Sequence, residues 1–98
     1  MTNFMTAVTT DQDGSTYNMQ GAESGNRTCL VQVSLGGGTG NVLIQGRMHS
    51  SHSWVTIKTF TADGADEVSM FPQMRAKTTS LSSASVHAST TARGVVLA

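Results

Sequence analysis

The chain has 98 residues, six basic side chains against six acidic ones, and 38% hydrophobic residues. That length supports one domain with a modest core. Nucleic acid is not an expected partner, because the basic residues are scattered from Arg27 to Arg93 with no two adjacent. A membrane is not expected either: the longest strictly apolar run is Val95 to Ala98, and MTNFMTAVTT lacks a basic start followed by an apolar block. Leu, Ile, Val and Phe number 19, close to the range of disordered chains, but disorder also needs net charge, so a folded domain is expected. Serine and threonine supply 26 residues. A polar surface of low charge density is cheap to desolvate, which favours assembly with neighbours.

Residues 1–28 read as an extended N-terminal arm with loops. Phe4, Met5 and Val8 suit a short strand or a docking arm, DQDGST at 11–16 is turn chemistry, Tyr17 to Gln20 suits a second short strand, and 21–27 returns to loop composition. From Cys29 the period-two pattern is firm. Cys29, Val31, Val33 and Leu35 share one face, GGGTGN at 36–41 makes a turn, and Val42, Ile44 and Met48 share one side of the next run. Gly46 marks a bulge or a close backbone approach.

HSSHS leads into WVTIKTF, where Val55 and Ile57 alternate with Trp54, Thr56 and Lys58. Parity puts Trp54 and Phe60 together, opposite Val55 and Ile57. Asp63-Gly64 is a hairpin signal. Val68 and Met70 are expected inward, Pro72 marks an edge or break, and Met74, Ala76 and Thr78 share a parity. Leu81 to Ser83 turns the chain into a weak strand with Val86 and Ala88, and Gly94 sets off GVVLA as a final strand or docking tail. Short strands with turns about every ten residues indicate an all-β sandwich or barrel.

The candidate chemical motifs are incomplete. His49 and His52 could share a metal, but no further ligand lies close in sequence, so a solvated turn is expected. Asp11-Gln-Asp13-Gly14 lacks the later acidic positions of a calcium loop and fits an Asx turn. The glycines at 36–40 precede a strand where a phosphate loop needs a helix. His87 between Ser85 and Ser89 is strand alternation. Asn26-Arg27-Thr28 has the form of a glycosylation acceptor and is discounted without a signal peptide. Cys29, the lone cysteine, fits a small buried apolar residue. Trp54 fits a core anchor, with Ile44 and Ile57, better than a ligand platform, because sugar sites usually combine several aromatics. No metal, cofactor or catalytic residue is therefore expected, and the chain is not expected to be an enzyme.

VQVSL, GGGTGN, VLIQGRM, WVTIKTF and FPQMRAKTTS, within 29–90, together resemble the strand–turn–strand blocks of a class of small tailed-phage virion proteins. The resemblance covers about two thirds of the chain and its motifs are structural. It implies a small antiparallel β-sandwich, jelly-roll or Ig-like, over 29–98, with 1–28 as an arm. It implies a capsid decoration or cement role on the virion, assembled in the host cytoplasm. The partners would be the major capsid protein and neighbouring copies, in a homo-oligomer on the particle. Phe4, Met5 and Val8 in the arm, with Val95, Val96 and Leu97 in the tail, are then the expected partner contacts. Two alternatives stay open: a carbohydrate- or host-surface-binding module using Trp54, and a neck or tail component.

Overall fold

The computed structural model describes residues 2–19, 28–91 and 95–97, with residues 2 and 95–97 as backbone only. The loop expected over 21–27, the acceptor sequence at Asn26 and the separator Gly94 lie outside these residues. Nine strands follow in order: β1 Thr2–Val8, β2 Tyr17–Met19, β3 Thr28–Ser34, β4 Thr39–Arg47, β5 Val55–Phe60, β6 Gly64–Ser69, β7 Gln73–Ser82, β8 Val86–Thr90 and β9 Val95–Leu97. They form two antiparallel sheets. Sheet A has the order β1-β8-β3-β6, and sheet B the order β5-β4-β7-β2-β9.

The pairing follows one rule. β4 pairs with β5, β3 with β6, β2 with β7 and β1 with β8. The chain is thus one long antiparallel ribbon, doubled over at the loop between β4 and β5 and wound so that its segments fall into two facing sheets. Pairing of β3 with β8 and of β4 with β7 completes each sheet. This is the eight-stranded jelly roll and not the Ig arrangement. β9 adds a fifth strand to sheet B beside β2.

Alternation decides what lies between the sheets. Cys29, Val31, Val33 and Leu35 from the β3 run meet Val42 and Ile44 of β4, Met74 and Ala76 of β7, and Val86 and Ala88 of β8, all buried. Ile44 and Met74 are the largest of the fully buried side chains. Gly46 is required small: a Cβ there would stand 2.6 Å from Phe71 Cγ. The turn after Leu35 uses Gly36 and Gly37 at φ 63° and 86°, where a side chain is strained.

Thr78 is a fully buried hydroxyl, and a lone one would cost stability. Its Oγ1 donates to Thr10 O at 2.9 Å and accepts from Gln12 N–H at 2.9 Å. Gly14 N–H and Thr78 N–H extend the backbone pairing, to Ala76 O and Gln12 O. The Asp11 carboxylate accepts from the N–H groups of Ser80 and Leu81. The 10–14 segment is therefore fastened along β7.

Several expectations are corrected here. The described residues before 28 are not a separate arm: β1 and β2 are sheet members, so the two-sheet domain takes in strands that precede residue 29. Phe4 and Met5 lie in this chain's own core, each 4% exposed, and Val8 packs half-buried against it. Phe4 and Met5 therefore have almost no surface to offer a partner, while Val8 keeps part of its side chain exposed. Asp63-Gly64 does not close a hairpin; it carries the chain from sheet B across to sheet A. The turn expected over Leu81 to Ser83 begins later, because β7 runs through to Ser82 and Leu81 packs on the core. Met48 is 60% exposed and Val55 55%, outside the core side assigned to Met48.

A truncation separates the two views of the N-terminus. Deleting residues 1–8 removes a strand and two core side chains, so the domain should lose its cooperative thermal transition by circular dichroism. A truncated chain that melts like the intact one would restore the docking arm.

Candidate cationic surface on the outer face of sheet B

β5 carries one more residue than β4 requires. Ile44 pairs with Lys58 but Gln45 pairs with Thr56, which leaves Ile57 as the extra residue of a bulge. Parity therefore inverts across Ile57. Phe60 lies inward, 6% exposed, while Thr56 and Trp54 face outward, although all three are even-numbered. Ile57 itself is half-buried against the core, and Ile44 is central to it.

Trp54 is consequently not a core anchor. It is half-buried, and the guanidinium carbons of Arg47 and Arg75 lie 4.2 Å and 4.5 Å from its ring centroid. Around it two polar rows cross the sheet. In one, Gln45 Nε2 donates to Thr56 Oγ1 at 3.3 Å, Arg75 Nε donates to Gln45 Oε1 at 2.8 Å, and Asp13 sits 3.6 Å from both Arg75 Nη1 and Lys77 Nζ. In the other, Arg47 Nε donates to Gln73 Oε1 at 2.8 Å and Gln73 Nε2 to Asn18 Oδ1 at 3.1 Å. Trp54 ties the rows together. Gln45 is buried although it faces outward.

The geometry follows from local sequence. Gln73, Arg75 and Lys77 alternate with the buried Met74, Ala76 and Thr78 on β7, and Gln45 and Arg47 come from β4. Around Trp54, Arg47, Arg75 and Lys77 outnumber Asp13, so this patch is locally cationic on a neutral chain. The outer face of sheet A differs: Thr28, Leu30, Gln32, Glu67, His87 and Ser89 are exposed or half-exposed there, and with the histidine neutral Glu67 is their one charge. Glu67 Oε1 accepts from the Thr28 hydroxyl at 2.8 Å.

The other candidates resolve as local structure. His49 and His52 are exposed; the His49 Nδ1 contacts Ser51 Oγ at 3.0 Å, and the His52 N–H donates to His49 O. No three potential metal ligands come together among the described residues. Asp11 and Asp13 are engaged with β7, as above. Lys58 Nζ reaches Asp66 at 3.0 Å and holds that carboxyl below its ordinary pKa, bridging β5 to β6 at the open side of the sandwich. Cys29 is buried, and burial pushes its thiol pKa up. Val95, Val96 and Leu97 pair through their backbones with Met19, Asn18 and Tyr17 of the same chain.

Sequence reading missed Arg47, Arg75, Gln45 and Gln73 as a group. Their signal was the polar parity of two strands that turn out to be adjacent, and adjacency is not written in either strand.

Three measurements test this description. Trp54→Ala should cost about 1–2 kcal/mol in chemical denaturation, against about 3–5 kcal/mol for a truncated core aromatic. A double-mutant cycle with Arg47→Ala should return a coupling of about 0.5–1 kcal/mol, and zero coupling would deny the stack. Cys29 should react with a thiol reagent at pH 8 only through opening of the fold, because its side chain is buried in the core and burial also raises its thiol pKa. Rapid labelling of the native chain would contradict its burial.

No protein-family model matches the chain, and no curated protein or solved structure matches it significantly, so the functional reading rests on this geometry and on the residues of the sequence itself.

Proposed function

We propose that this chain is a non-catalytic structural protein of a tailed-phage virion, decorating the capsid by binding the outer surface of the major capsid protein lattice. The observation that carries the reading is the contrast between the two outer faces, one nearly uncharged and one cationic around a held tryptophan. Such a module has one adhesive side and one side for solvent. The jelly-roll strand order suits this role, being shared by capsid and lectin domains, though fold alone does not assign function. The resemblance of residues 29–90 to small virion proteins points the same way. Repetition over a symmetric shell turns a weak single contact into stable attachment.

A second reading, a carbohydrate- or host-surface-binding module, is favoured by the outward position of Trp54. Against it, the ring already engages two guanidinium groups, whereas a sugar platform needs a free aromatic face.

Quantitative mass spectrometry of purified particles tests the proposal. Copy number comparable to the major capsid protein, with a lower particle melting temperature when the protein is removed, is the expected result. A copy number more than an order of magnitude lower would place the chain in a neck or tail, and absence from particles would overturn a virion role.

A further inference from the structure

Among the described residues, Lys58 pairs with Asp66, and Arg75 and Lys77 share Asp13, whereas Arg47 has no acidic partner. Arg47 is nevertheless held. Its Nε is bonded to Gln73, and its guanidinium lies over Trp54. A guanidinium fixed in this way loses little entropy on binding, and its two Nη groups remain as donors for an incoming group. Arg75, over the same ring and only 15% exposed in its side chain, is engaged by Gln45 and Asp13 and adds positive charge beside it.

We propose that Arg47, supported by Arg75 and Trp54, is a carboxylate-recognition site, and that its occupant is an Asp or Glu side chain on the surface of a partner protein. The proposal rests on the assembly reading for the partner's place and on the arginine geometry for its chemistry. A planar guanidinium matches the two oxygens of a carboxylate in a bidentate pair. A polyanion would need an extended basic track, and this chain has net charge zero and, among the described residues, a single basic cluster. A neutral sugar would compete with the arginines for the indole.

Trp54 is the chain's one tryptophan, so its emission reports on this site directly. The full chain is titrated at low salt with a hexaglutamate peptide, and in parallel with a sulfated heparin oligosaccharide and inorganic phosphate. The peptide should give a saturable change in emission and bind more tightly than either control. Arg47→Gln should weaken peptide binding about tenfold, the loss of roughly one charge-assisted pair. Arg47→Lys, which keeps the charge and tests folding, should lose most of that affinity because a point charge cannot fork. Asp13→Asn, which releases Arg75, should tighten binding severalfold. An unchanged emission, equal binding by folded Arg47→Gln, or stronger binding of the sulfated oligosaccharide or phosphate would each overturn the proposal. Peptide binding by a chain absent from particles would leave the site standing and fail the virion reading alone.

Discussion

The nested pairing of one ribbon governs the rest of the structure. Only β4 and β5 meet through a short connection; β1 and β8 join residues as distant as Thr2 and Thr90. Each outer pair can form cheaply once the pair inside it has shortened the effective loop. Folding dominated by such distant pairings is slow for a chain this small, and the stability of the first strand depends on everything after it. The buried Thr78 fits this scheme. Its hydroxyl is satisfied only when the 10–14 segment has crossed between sheets, so a polar core group serves to fix that crossing.

The sheet edges show how such a sandwich avoids indiscriminate pairing. β6 carries Asp66 and Glu67 on its exposed edge, β1 is interrupted by two irregularities against β8, and β5 is bent by its bulge. With these three edges blunted, the faces are left for specific contact, and the two are unlike in charge and aromatic content.

Much of the fold was legible in the sequence. The inward sets Cys29, Val31, Val33, Leu35 and Met74, Ala76, Thr78 follow from alternation, and Pro72 marks a break before β7. Two kinds of information were not local. Phe4 and Met5 sit among Thr residues in a run too short and mixed to reveal burial, and only the distant β8 makes that run a strand. Trp54 was misplaced because a lone aromatic fits a core anchor better than a sugar platform, and no residue in VTIKTF announces that Ile57 is extra and turns the positions before it to the other face. The cationic surface shared that fate. It needs β4 beside β7 and the bulge beyond Ile57, both properties of the pairing and not of any motif.

The bulge has a consequence for how chains of this design diverge. The face on which Trp54 lies is set by a count of residues between it and Phe60, not by the identity of those residues. A single-residue deletion in that interval would leave the core pattern of β5 readable and exchange the side on which the indole emerges. Related chains could thus keep the sandwich and gain or lose the surface in one step, with almost no change in composition. Length between these two aromatics, more than similarity along the strands, is the character that would sort them.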